Sequence, residues 1–100
     1  MRESDFQADL IREIKTRFPG ASVLKRDARD ISHKRGVPDL LILWRKNCAS
    51  LEVKAYANAP HQPGQDWYID HIREKGGYAA FIYPENKDEI LDEIQSAFRS

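Results

Sequence analysis

Three ionisable residues stand where strand core residues would be expected. Asp39 opens the apolar run Leu40 to Trp44, and Glu52 and Lys54 interrupt the run Leu51 to Ala55. Two carboxylates brought within reach of one another suit a hard cation. Mg²⁺ takes one or two protein carboxylates, keeps several waters and accepts phosphate oxygens as its remaining ligands. The Val53 carbonyl, between Glu52 and Lys54, adds one further oxygen. A cation held there polarises a phosphodiester and lowers the pKa of a bound water. Lys54 would orient that water or neutralise charge developing on the phosphate. The plainer reading of an isolated Glu-x-Lys is a solvated ion pair, contributing about 0–1 kcal/mol.

The elements that must position these groups follow from periodicity. The two apolar runs flank a polar turn at Arg45, Lys46 and Asn47 and read as a β-hairpin. Side chains alternate faces along a strand, so Glu52 and Lys54 share one face and Leu51, Val53 and Ala55 the other. With the turn centred near Lys46 and Asn47, Asp39 falls opposite Lys54 or one pair away. Before the hairpin, Phe6, Leu10, Ile14 and Phe18 recur at helical spacing until Pro19-Gly20, with Ser4 and Gln7 resembling a capping box. The same stripe, extended backwards, passes through Glu3 and Gln7 and predicts both at the start of the buried face.

"ASVLKRD" predicts a first strand, followed by a basic loop to Gly36. After the hairpin, "AYANAPHQPG" is rich in turn residues. A helix from about Gln65 to Lys75 follows, with Tyr68, Ile69 and Ile72 on one face and Gly76-Gly77 ending it. "YAAFIY" predicts a fourth strand, and Ile90, Leu91, Ile94 and Phe98 a last amphipathic helix. The expected class is α/β in the order αβββαβα, a mixed sheet flanked by helices.

These residues resemble the PD-(D/E)XK nuclease superfamily: Pro38-Asp39, then Glu52-Val53-Lys54. Within it the chain resembles the VRR-NUC (virus-type replication–repair nuclease) family. The matching stretches are "ESDFQ", "GVPDLLIL", "LEVKA" and the glutamine of "HQPGQDW", spanning residues 3 to 67, with "GGYAAFIY" continuing the order. The resemblance implies a restriction-endonuclease-like αβββαβ core with a C-terminal helix, and a Mg²⁺- or Mn²⁺-dependent DNA endonuclease. It assigns Asp39 and Glu52 to the metal and Lys54 to the nucleophilic water or transition-state charge. It also makes Glu3 a further acidic ligand or metal-water anchor, and gives Gln65 a part in positioning the site. The residues alone leave Glu3 equally readable as an N-terminal helix acid, and Gln65 as a first-turn polar residue. Stand-alone members of this size resemble phage Holliday junction resolvases, so branched four-way DNA is the expected substrate and a homodimer the expected assembly. A flap or nicking endonuclease, a DNA-binding module without catalysis, and a host-targeting phage protein are the alternatives.

Composition sets the outer bounds. One hundred residues, 41% apolar and 32% charged, make one soluble domain. A chain of this size buries roughly 60–70% of its unfolded surface without needing staples. A single cysteine, Cys48, excludes an internal disulfide and fits a reducing compartment. No apolar run approaches the ~18 residues of a membrane span, and the N-terminus lacks a signal-peptide core. The expectation is a cytoplasmic protein without membrane contact. Net charge is zero, yet "LKRDARDISHKRG" gathers Lys25, Arg26, Arg29, Lys34 and Arg35 with His33, an expected local surface for DNA phosphates whose plainer reading is a solvated charge run. The acids of "PENKDEILDE" balance it as solvated surface. His33, His61 and His71 match no zinc spacing. Trp44, Trp67 and Tyr68 are candidates for a dimer interface, with core packing the plainer reading; Trp67 and Tyr68 are also placed to stack on bases.

Overall fold

The computed structural model describes residues 2–26 and 36–99. Helix α1 (Glu3–Arg17) leads into strands β1 (Ser22–Lys25), β2 (Leu40–Trp44) and β3 (Asn47–Val53). Helix α2 (Gln65–Glu74), strand β4 (Tyr78–Ile82) and helix α3 (Lys87–Arg99) complete the chain. The sheet runs β1-β2-β3-β4; the first two pairings are antiparallel, and β4 lies parallel to β3 after the α2 crossover. The αβββαβα order and the mixed sheet are those expected from the periodicities. Among the described residues no helix is long and apolar enough to cross a membrane.

Alternation builds the core. Leu40 and Ile42 of β2, Ala49, Leu51 and Val53 of β3, and Ala80 and Ile82 of β4 share one sheet face. The α1 stripe Phe6, Leu10, Ile14 and Phe18 and the α3 stripe Ile90, Leu91, Ile94 and Phe98 close over it. Lys87 Nζ meets Glu13 Oε1 at 2.7 Å, tying the two helices at their solvent edge. On the other face α2 packs on β4, with Ile69 and Ala79 buried outside the main core. Among the described residues no helix packs on the β1–β2 half of that face, and Leu24 and Leu43 are exposed.

Three local expectations are corrected. Helix α1 starts at Glu3 with Arg2 at the N-cap and no side-chain cap, so Ser4 lies inside the first turn and forms no capping box. The acids Glu3 and Asp5 meet the positive end of the helix instead. Glu3 is exposed and Gln7 only half-buried, so the buried stripe of the helix begins at Phe6. The hairpin turn is Arg45-Lys46, one residue earlier than expected, with both residues at positive φ (48° and 69°). That is the backbone of a two-residue hairpin turn matched to strand twist. Asn47 stays in β3 opposite Trp44, its amide donating to the carbonyls of Arg45 at 3.1 Å and Phe98 at 3.3 Å.

Trp44 is committed to packing. Its ring meets Phe18 edge-on at 5.3 Å and stacks with Phe98 at 6.3 Å, while its indole N–H donates to Pro19 O. Of the three aromatics considered for an interface, Trp67 is the one left open, 58% exposed, its ring parallel to His71 at 4.6 Å and edge-on to Tyr68 at 5.0 Å.

Candidate active site

The corrected turn decides which groups meet. Leu40 pairs with Leu51, so the next position along the ladder sets Asp39 opposite Glu52, with Lys54 beyond the end of β3. Asp39 Oδ2 accepts the Val53 N–H at 3.0 Å. A strand residue presents its N–H and C=O on the same edge, which turns the Val53 carbonyl towards Asp39 as well. Arg26, just past β1, donates Nη1 to Val37 O at 2.7 Å, and its Nη2 lies 3.4 Å from Asp39 Oδ1. Its backbone N–H donates to Asp39 O at 2.8 Å. Asp39 is thus held by its own strand partner and by the strand before it.

Glu52 and Lys54 lie on the face of β3 that α2 approaches, and both are buried, 3% and 6% exposed. Gln65, the first residue of α2 and 5% exposed, joins them. Its Nε2 donates to Glu52 Oε2 at 2.9 Å, and its Oε1 accepts from Lys54 Nζ at 2.8 Å. Lys54 Nζ also donates to Pro60 O at 3.0 Å. Gly36 brings β2 and α2 together: at φ +85° it packs so tightly that a Cβ there would stand 2.4 Å from the Gly64 carbonyl carbon. A cleft of about 390 Å³ opens over this set, walled by Glu3, Arg26, Asp39, Glu52, Lys54 and Gln65.

The electrostatics are those of a site short of positive charge. Glu52 Oε1 is buried and accepts no hydrogen bond among the described residues. Burial, then the adjacent Asp39 carboxyl and its charge, push the Glu52 carboxyl up to about 9, against the pull of Lys54 and Arg26. A proton between the two carboxyl groups satisfies Oε1, and so does a cation. Glu3 is also raised, first by partial desolvation and then by Asp39, with Lys54 opposing. A buried carboxylate oxygen with no donor among the described residues, next to a second carboxylate and on a residue that lines the cleft, fits a hard divalent ion taking oxygen ligands. Asp39 and Glu52 would hold it, with the Val53 carbonyl alongside and Glu3 at the outer wall. Among the described residues no three His, Cys, Asp or Glu side chains are gathered tightly enough to enclose an ion by themselves. The remaining ligands would come from water and substrate.

All five residues expected at the catalytic centre, Glu3, Asp39, Glu52, Lys54 and Gln65, line this one cleft. Lys25 is exposed at the end of β1. Arg26, grouped by sequence with the phosphate-holding loop, instead faces Asp39. Arg29, His33, Lys34 and Arg35 lie outside the described residues. Sequence reasoning did not single out Tyr56, which lines the cleft and is half exposed, or the Pro60 carbonyl that receives Lys54. Only their place in the turn-rich segment between Lys54 and Gln65 signals them. Compared with the models of known protein families and with curated proteins, the chain matches none.

Proposed function

We propose that the protein is a Mg²⁺- or Mn²⁺-dependent endonuclease that hydrolyses phosphodiester bonds in branched DNA, with four-way junctions as its substrate. The observation that carries this reading is the buried Glu52 Oε1 beside Asp39, with no donor among the described residues and the Lys54 ammonium fixed in the same cleft. The bound cation supplies Lewis acidity towards a phosphoryl oxygen and acidifies water. Asp39 and Glu52 contribute the negative charge that retains it. Lys54 holds a positive charge where a phosphate's negative charge grows, already oriented and partly desolvated, so it is worth more there than in water. Gln65 keeps Glu52 and Lys54 apart by an amide that bonds one with each end, preventing the ion pair that would neutralise both.

The choice of branched DNA rests on the likeness of the Pro38-Asp39 and Glu52-Val53-Lys54 motifs to VRR-NUC nucleases. A junction must be cut on two strands related by a two-fold axis, and a symmetric dimer supplies two such sites. Labelled four-way, flap, bubble and linear DNAs incubated with Mg²⁺, Mn²⁺ or chelator test the reading directly. The expected result is metal-dependent cleavage, greatest on the four-way junction and abolished by Asp39→Asn or Glu52→Gln with DNA binding retained. Cleavage that persists in chelator would overturn the mechanism. Cleavage of flaps or nicked duplex in preference to junctions would leave the nuclease and remove the substrate.

A further inference from the structure

The Lys54 ammonium owes its position to a segment without regular secondary structure. One of its acceptors is the Pro60 carbonyl, at 3.0 Å. The other is Gln65 Oε1, at 2.8 Å, and that oxygen is itself fixed by the Gln62 N–H at 2.8 Å. Residues 60 and 62 therefore carry the two backbone groups that aim Lys54, and His61 stands between them. Its ring lies nearly parallel over Phe81, with centroids 4.0 Å apart and planes 12° from one another. Its Nδ1 is 2.9 Å from Asp66 Oδ1. Both anchors adjoin the site: Phe81 is the β4 register partner of Glu52, and Asp66 follows Gln65 in the first turn of α2.

We propose that His61 is a positioning residue for Lys54, clamping residues 60–62 onto β4 and α2 so that the ammonium points into the cleft. The proposal rests on the nuclease reading for its catalytic consequence and on geometry alone for the clamp. Other ties on this segment are longer, such as the Ala57 N–H to Glu85 Oε1 at 3.3 Å and the Ala59 N–H to Tyr56 O at 3.2 Å. They lie before Pro60 and leave the 60–62 turn to His61 and Gln65. An Nδ1–H donates to the Asp66 carboxylate in the imidazolium and in one neutral tautomer alike, so the clamp does not need the ring to be charged. Losing it frees a backbone carbonyl that Lys54 must meet within hydrogen-bond distance, and small misplacements at a reacting centre are costly.

The test compares His61→Ala, His61→Phe, which keeps the stack on Phe81, and Asn58→Ala as an exposed control in the same segment. Single-turnover and steady-state cleavage of a four-way junction with Mg²⁺ should show kcat lowered about 10- to 100-fold by His61→Ala with little change in KM. His61→Phe should recover most of it. On a Lys54→Met background the same His61→Ala change should cost nothing further, because its effect passes through the ammonium. Independently of any cleavage, the ¹⁵N and ¹H resonances of the Lys54 ammonium and the Gln65 side-chain amide should shift in His61→Ala and stay in place in Asn58→Ala. Unmoved resonances in the folded His61→Ala protein would overturn the clamp whether or not the chain proves to be a nuclease. An equal loss of kcat with and without Lys54 would overturn its action through that residue.

Discussion

Gln65 and Glu52 are joined side chain to side chain, Nε2 to Oε2 at 2.9 Å, although both are almost fully buried and 13 residues apart. A buried amide can hold a carboxylate and an ammonium at once because it owns a donor and an acceptor at opposite corners. Gln65→Ala removes these bonds and the one that Gln65 Oε1 accepts from the Gln62 N–H, and leaves Glu52 and Lys54, both buried, short of partners. The expected cost is about 1–3 kcal/mol in urea unfolding for each group left unsatisfied, together with a loss of cleavage. A midpoint that stays at the wild-type value would show that water replaces the amide without penalty.

The raised Glu52 carboxyl makes stability depend on pH in a definite direction. Its folded value of about 9 stands above the ordinary 4.5, so between these limits the folded state holds a proton that the unfolded state has released. Stability in chelator should therefore fall as pH rises from about 4.5 towards 9, and Glu52→Gln should flatten that slope. Metal binding must displace the same proton. Titrations of Mn²⁺ at pH 7 in two buffers of different ionisation enthalpy should report proton release in the wild type and none from this group in Glu52→Gln.

Arg26 and the basic loop should separate in experiment. Arg26 braces Asp39, so Arg26→Ala should lower kcat even where DNA is saturating. Replacing Arg29, Lys34 and Arg35 by alanine should weaken every DNA alike and reduce the salt slope by about 0.9 for each phosphate that is no longer neutralised. Binding measured between low and moderate salt distinguishes the two sets. An unchanged slope in the triple variant would assign those residues to solubility alone.

Gly36→Ala should destabilise the protein and disturb the site together. The left-handed backbone costs a non-glycine residue about 1–2 kcal/mol, and the new methyl would meet the Gly64 backbone at 2.4 Å. Relief requires the start of α2 to move, carrying Gln65 away from Glu52 and Lys54. Thermal denaturation and cleavage should therefore fall in parallel, whereas Gly20→Ala, with open space at its Cβ, should affect stability only.

Light scattering at micromolar concentration should report about twice the 11.6 kDa chain mass. With Trp44 packed into the core, Trp67 is the aromatic available at a dimer face, and Trp67→Glu should return a monomer while leaving the fold intact. A cruciform plasmid should be linearised by the dimer and merely nicked by that monomer. A wild-type monomer that releases only nicked circles would remove the junction-resolving role.

The elements were legible in the sequence because their signals are local. The Phe6, Leu10, Ile14, Phe18 stripe, the alternation across the hairpin and the Ile90, Leu91, Ile94, Phe98 stripe all found the buried faces expected of them. Asp39, Glu52 and Lys54 stood out because charges interrupt an apolar hairpin, whereas Glu3 and Gln65 were assigned to the site only by motif resemblance. What sequence could not decide was the hairpin's turn. Moving its centre by one residue shifts every cross-strand pair by two positions, and with a side-chain period of two this leaves each residue on the same face. The hydrophobic pattern is blind to that choice, and Asn47 is the residue whose type best suits a left-handed turn. Tertiary packing chose otherwise: Trp44 packs on Phe18 and Phe98, Asn47 bonds the Phe98 carbonyl, and Arg45-Lys46 take the positive φ values. Asp39 therefore faces Glu52 rather than Lys54. The burial of Glu52, the hold of Arg26 on Asp39 and the capture of Lys54 by Pro60 and Gln65 are likewise tertiary, because each depends on a chain segment arriving from elsewhere in the fold.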